Sequence, residues 1–221
     1  LLTREQKELL QNVMEEYMIP DEYGKSTICN LYFDTPQYLL IRRSIENKVY
    51  KEKVRLRTYG RAEPAGEAFI DLKKKYKKVV YKRRICTEYE KAIQYLCRGE
   101  RVVGESQIGE ELDYALRLYQ GIRPAMWLSY EREAFYGKED HELRTFDQNI
   151  LWRTEDLDLS SPIYGRSLLD EDQSLLEIKV GHAIPLWLSH FLTENKMFRT
   201  SYSKYGNAYR TLLREGEINY V

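Results

Sequence analysis

The stretch Lys51-Glu52-Lys53-Val54-Arg55-Leu56-Arg57 alternates cations with a carboxylate and aliphatic residues. Side chains of an extended strand alternate between faces, so Lys51, Lys53, Arg55 and Arg57 point one way while Glu52, Val54 and Leu56 point the other. Like charges in such a row repel, and either water screens them or an anion binds them. The same separation recurs in Ala68–Lys74, where Phe69, Asp71 and Lys73 oppose Ile70 and Leu72. It recurs again in Val79–Ile85, where Lys82 and Arg84 oppose Tyr81, Arg83 and Ile85. Phosphate suits these rows: guanidinium offers paired donors matched to its oxygens, and ammonium adds compact charge. A solvated face is the plainer reading of each row taken alone.

A second series follows Pro124. In Ala125–Phe135, Met126, Leu128, Tyr130 and Arg132 share a face; Arg144 lies in Glu142–Asp147, and Asn149–Arg153 reads as a further strand. In Ser174–Val180, Leu175, Glu177 and Lys179 oppose Leu176, Ile178 and Val180. Glu177 is suited to hold Mg²⁺ or Mn²⁺ bridging phosphate oxygens, or to form a salt bridge with Lys179 or a nearby arginine, and spacing leaves both open. Other chemistries find no support. Gly60, Gly66 and Gly104 form neither a GxGxxG nor a P-loop pattern, and His141, His182 and His190 lack ligand or nucleophile spacing. Cys29, Cys86 and Cys97 are an odd number without metal-site spacing. The 19 tyrosines are spread through helical and strand segments alike, which favours packing over base stacking.

Helices and strands must position these groups. Thr3-Arg4-Glu5-Gln6 is a capping box before Leu9, Leu10, Val13, Met14 and Tyr17 at helical spacing, ending at Ile19-Pro20. Ser26–Asp34 reads as a strand, Tyr38–Ser44 as a short helical turn, and Lys75–Lys78 as a hairpin connection. Thr87–Glu90 reads as a second capping box, opening a helix to Gly99, and Ser106–Gln120 as another helix; both would cover Val54, Leu56, Ile70 and Leu72. Thr154–Asp172 reads as an irregular acidic linker, followed by helices from Pro185 and from Ser203. Strands in two groups interrupted by helices predict an α+β fold with a mostly antiparallel sheet. If helices cover the aliphatic faces, closing the sheet makes a barrel with a charged interior, which must hold water or a polyanion.

Composition sets the frame. At 221 residues, a single domain spanning 1–221 is expected. With 35 basic and 35 acidic residues, a broad basic surface for nucleic acid is disfavoured. The cations nevertheless concentrate between Arg42 and Arg84, and the acids in Glu105–Asp113 and Glu155–Asp172, as a focused anion site requires. No apolar run has membrane-spanning length, so a cytoplasmic protein is expected.

Several of these segments resemble the VTC domain, the catalytic module of the vacuolar transporter chaperone polyphosphate polymerase, in the triphosphate tunnel (CYTH-like) superfamily. They are Ile28-x-Asn30-Leu31-Tyr32-Phe33-Asp34-Thr35, Arg55-Leu56-Arg57-x-Tyr59-Gly60, Asp71-Leu72-Lys73 and Tyr81-Lys82-Arg83. Tyr130-x-Arg132-x-Ala134-Phe135, Leu143-Arg144-Thr145-Phe146-Asp147, Leu176-Glu177-Ile178-Lys179 and Ser203-Lys204-Tyr205 complete the set. The resemblance implies a tunnel of antiparallel strands that binds the triphosphate of ATP and a growing polyphosphate chain. It implies Arg55, Arg57, Lys73, Lys82, Arg132, Arg144 and Lys204 as phosphate ligands in the catalytic site, Ser203 beside them, and Glu177 as ligand for Mn²⁺ or Mg²⁺. Lys179 joins the phosphate ligands on its shared face with Glu177. The family's first strand is expected to be missing before Leu1, and Asp71 stands where the eukaryotic enzyme has glutamate. The expected activity is metal-dependent transfer of the terminal phosphoryl of ATP to polyphosphate. The rivals are hydrolysis of triphosphate or a nucleotide in the same tunnel, and a non-catalytic polyphosphate sensor or scaffold.

Overall fold

In the computed structural model the basic stretch lies in one strand of an antiparallel sheet. The structure describes residues 1–47, 49–77, 79–100, 106–139, 142–181 and 183–218, so Lys78, Gly104, Glu105, His141 and His182 lie outside the described residues. The order is β1 (Leu2–Thr3), α1 (Arg4–Tyr17), β2 (Met18–Asp34), α2 (Leu39–Glu46), β3 (Tyr50–Tyr59), β4 (Glu67–Tyr76) and β5 (Val79–Glu88). Then come α3 (Tyr89–Arg98), α4 (Gln107–Leu118), β6 (Arg123–Gly137), β7 (Leu143–Arg153), β8 (Arg166–Ser167), β9 (Gln173–Ile178), α5 (Leu186–Glu194) and α6 (Lys204–Arg214). Hydrogen bonding runs β1-β9-β7-β6-β2-β3-β4-β5, with β8 beside β7, making a nine-stranded antiparallel sheet in an α+β fold. The pairing forms a path with β1 and β5 at its ends.

The chain forms two compact units. One comprises Leu1–Thr27, Tyr130–Ile150 and Ser167–Tyr202; the other comprises Ile28–Ser129, Leu151–Arg166 and Ser203–Val221. In the second unit Leu31, Val54, Leu56, Ile70 and Leu72 face a core completed by Ala92, Tyr95 and Leu96 of α3 and Leu112 and Ala115 of α4. Both helices therefore cover the aliphatic face, as the alternation requires. Glu52 lies on that face and is only 4% exposed, but Tyr119 donates to its Oε2 at 2.5 Å and Lys74 stands 3.8 Å away, so its charge is not left bare.

The start of α3 departs from the capping-box expectation. Thr87 pairs with Ala68 in the β4–β5 ladder, so its backbone stays extended and its side chain does not cap the helix. The first amides are served by backbone instead: Tyr89 N–H donates to the Gly66 carbonyl and Glu90 N–H to that of Pro64. Packing of the β3–β4 turn thus overrides a local signal.

The acidic segment after β7 lacks regular structure apart from β8, yet a buried arginine organises it. The Arg153 guanidinium, stacked 3.8 Å over Trp127 and 4.2 Å from the Tyr164 ring, donates to the carbonyls of Asp156, Pro162 and Tyr164. Gly165 closes the turn with φ +156, where a Cβ would lie 2.7 Å from the Trp152 carbonyl oxygen.

In the first unit the Thr3–Gln6 capping box forms as expected, Thr3 Oγ1 accepting from Gln6 N–H at 3.2 Å and Gln6 Oε1 from Thr3 N–H at 3.1 Å. Leu10 and Met14 of α1 pack with Phe146, Leu188 and Met197. The segments read as two strands, Glu142–Asp147 and Asn149–Arg153, are the single strand β7, which accommodates Asn149 at φ 48; asparagine tolerates this left-handed geometry better than most residues. Likewise β2 begins at Met18, well before Ser26, and the turn at Tyr38–Ser44 is a helix reaching Glu46. Among the described residues no helix is long and apolar enough to cross a membrane.

Replacing Arg153 with alanine unpins three carbonyls and empties the space between two rings. We expect a loss of roughly 3 kcal/mol, visible as a lower urea midpoint with an unchanged slope.

Candidate phosphate-binding site

The register of the second unit turns alternation into cross-strand rows. Tyr32, Arg55, Asp71 and Arg84 form one row across β2–β5; Lys53, Lys73 and Lys82 form the next; Asn30, Arg57, Phe69 and Cys86 lie on the other side. With Lys51 opposite Lys75, this face carries Lys51, Lys53, Arg55, Arg57, Lys73, Lys75, Lys82 and Arg84 around the carboxylate of Asp71, with Glu67 and Glu88 paired at the end of the β4–β5 ladder.

Asp71 is 1% exposed and holds two arginines from either side. Arg55 Nε donates to its Oδ2 at 3.0 Å, while Arg84 Nε and Nη2 donate to Oδ1 and Oδ2 at 2.8 and 3.1 Å. Burial pushes the carboxyl pKa up, but hydrogen bonding from Arg84 and the charges of Arg55, Arg84 and Arg57 win and hold it down to about 2. Arg84 also lies 4.7 Å over the Phe69 ring, and Arg57 Nε donates to Asn30 Oδ1 at 3.1 Å. These forks are pre-set before any ligand arrives.

The lysine row has a different character. Half-buried Lys53 donates from Nζ to Ser203 Oγ at 2.9 Å, and the same oxygen accepts from Gly206 N–H at 3.1 Å as the N-cap of α6. Gly206 permits this approach, since a Cβ there would meet Ser203 Oγ at 3.0 Å. Lys73 and Lys82 are exposed. Lys204 occupies the first position of α6, next to the cap. Tyr32 stacks on Tyr205 at 4.5 Å, and Tyr205 donates to Asp34 Oδ2 at 2.8 Å. Asp34 also accepts from Leu40 and Ile41 N–H at 2.8 and 3.0 Å, anchoring α2. Burial raises the Tyr32 phenol pKa, but Arg55, Lys53 and Lys204 outweigh it and leave the group lowered.

The first unit holds a separate cluster. Arg132 Nε and Nη2 donate to Asp147 Oδ1 and Oδ2 at 2.6 and 2.8 Å, and Nη2 reaches Glu177 Oε2 at 3.4 Å. Burial lowers the guanidinium pKa, but Asp147, Tyr130 and Glu177 more than reverse this and raise it. Arg144 is set apart by strand alternation: it shares a face with Phe146 of the apolar core, opposite Asp147, and its buried Nη1 donates to the Glu142 carbonyl at 2.7 Å. Lys179 follows the end of β9 and is exposed.

The described residues contain no group of three or more His, Cys, Asp or Glu able to hold a metal ion. Asp147 is engaged by Arg132 through both oxygens, whereas the Glu177 side chain is 46% exposed. Such a donor set fits a cation that takes most of its ligands from phosphate oxygens and water, as Mg²⁺ does, and does not form an all-protein cage. Residues that sequence reasoning left out of the site are Asp71 as the arginine clamp, Arg84, Lys53 and Asp147. Lys53 and Arg84 were visible as members of the charged faces; the clamp depends on cross-strand register.

Comparison with known proteins now adds the family. A family model for the VTC domain matches residues 1–213. The chain belongs to the VTC domain family. No curated protein matches this VTC domain. Among solved structures it is similar to HpAC1 from Hippeastrum, described as a candidate adenylyl cyclase with a dominant triphosphatase activity, at 14% identity and TM-score 0.57, covering 99% of this chain and 94% of that one. That likeness establishes a shared fold. A candidate adenylate cyclase from Vibrio parahaemolyticus is matched at 13% identity and TM-score 0.36, covering 63% of this chain and 61% of that one. PH1819 from Pyrococcus horikoshii OT3 is matched at 13% and 0.33, covering 65% and 66%. These two partial matches are too distant to bear on the fold.

The Asp71 clamp predicts acid sensitivity of the VTC domain. Above about pH 4 the carboxylate is ionised in folded and unfolded chains alike and its contribution is complete; it fades as pH falls toward the folded value. Asp71→Asn removes a contribution on the order of 2 kcal/mol at neutral pH, and the stability gap between the two proteins should narrow steadily between about pH 4 and 2 in urea titrations.

Proposed function

We propose that this VTC domain is a metal-dependent phosphotransferase that adds the terminal phosphoryl group of ATP to a polyphosphate chain. The observation that carries the reading is the block of eight cations around Asp71 on β3–β5, a surface whose self-repulsion a condensed phosphate relieves. Arg55, Arg57, Lys73 and Lys82, with Ser203 and Lys204 at the start of α6, take the phosphate oxygens. The forks of Arg55 and Arg84, held by Asp71, present donors in fixed directions, so little reorganisation accompanies charge development on the transferred group. No protein nucleophile is required, because the terminal phosphate of the chain attacks and ADP leaves; positioning and electrostatics carry the catalysis.

Glu177 is assigned to Mn²⁺ or Mg²⁺, which would neutralise and orient phosphate oxygens when bound. Arg132 keeps Asp147 occupied and touches Glu177, so it positions the metal-binding carboxylate. Arg144 and Lys179 are less favoured as phosphate ligands: the first is buried on the opposite strand face, the second lies beyond the strand.

Hydrolysis of triphosphate is the second reading, favoured by the triphosphatase activity described for HpAC1. Incubation with ATP and Mn²⁺ separates the two. Acid-labile polymer supports transfer, and orthophosphate without chain growth selects hydrolysis. Arg57→Ala should lower kcat/KM by roughly 10²–10³, while Glu177→Ala should abolish turnover and keep polyphosphate binding. Full activity in Glu177→Ala would remove the metal assignment.

A further inference from the structure

The two basic rows on β3–β5 are compensated differently. The arginine row contains Asp71; the lysine row pairs Lys53 with Lys73 and Lys73 with Lys82, and among the described residues none of the three takes part in an ion pair. Lys53 is the most enclosed member, the other two being exposed. Its one hydrogen bond among the described residues goes to a neutral hydroxyl, Ser203 Oγ, at 2.9 Å. An enclosed ammonium facing another ammonium, with only a hydroxyl to receive it, is a group whose electrostatic partner arrives from outside.

We propose that Lys53 is a further phosphate ligand of this face, gripping the condensed-phosphate chain together with Ser203 and tying the chain to the start of α6. The inference rests on the reading that this face binds condensed phosphate. The charged and titratable groups facing Lys53 are Tyr32 on β2, Lys51 and Arg55 on β3, and Lys73 on β4, with Lys82 beyond Lys73 in the same row and Lys204 acting on Tyr32. Burial, together with Lys73, Arg55 and Lys51, brings the Lys53 pKa down to about 8, and only Tyr32 favours the protonated ammonium. The ammonium is therefore charged below that pH and loses its proton above it, until a bound polyanion restores the ordinary lysine behaviour. Binding at alkaline pH takes up a proton from the buffer at Nζ.

Calorimetric titration with metal-free tripolyphosphate at about pH 8.5, in buffers of different ionisation enthalpy, reads affinity and proton uptake together. Lys53→Arg cannot lose its charge in this range, so the proton taken up by the ligand and by other groups cancels in its comparison with wild type. Wild type should take up roughly half a proton or more beyond Lys53→Arg. Lys53→Met should bind about tenfold more weakly than wild type at neutral pH, and Ser203→Ala should keep the extra uptake. No binding by wild type would overturn the functional reading itself. Binding by wild type with the same uptake in Lys53→Arg would overturn the role of Lys53 alone, and would do so even if Lys53→Met failed to fold.

Discussion

Asp71 is the carboxylate on which the cationic block depends. Without it, Arg55 and Arg84 would face each other across β4 from adjoining strands with no counter-charge between them. With it, both guanidiniums are fixed in direction. A single buried acid thus lowers the cost of assembling the face without neutralising it, since the other cations of the block leave a large positive excess. That excess gives the face a positive potential, which attracts anions.

The opposite face of the same strands explains why this arrangement is rigid. Val54, Leu56, Ile70 and Leu72 are locked under α3 and α4, so the strands cannot slip by one residue without exposing every aliphatic side chain and burying every charge. The penalty for a slip is shared by the whole core, which protects the register that brings Arg55, Asp71 and Arg84 into one row. Asp34 works in the same direction, accepting from α2 amides and from Tyr205 of α6, so that the helix carrying Ser203 and Lys204 is tied to β2 through a buried carboxylate.

The first unit uses the same chemical parts in another ratio. Two carboxylates, Asp147 and Glu177, share one arginine, and of the two Glu177 is the exposed one. An arginine that satisfies both oxygens of Asp147 also removes it from competition for a cation.

The sequence by itself determined which side chains share a strand face, because a period of two is a property of the extended backbone. Alternation alone sets Lys53, Arg55 and Arg57 against Val54 and Leu56, and the separation of faces, the helices that cover the aliphatic side and the Thr3 cap follow from equally local rules. Only the tertiary structure decided what stands beside what. Register puts Asp71 between two arginines and Lys53 opposite Lys73, and keeps Thr87 in a ladder in place of its capping box. Pairing across strands is set by packing of the whole core and by turn geometry, and no short window of residues contains that information.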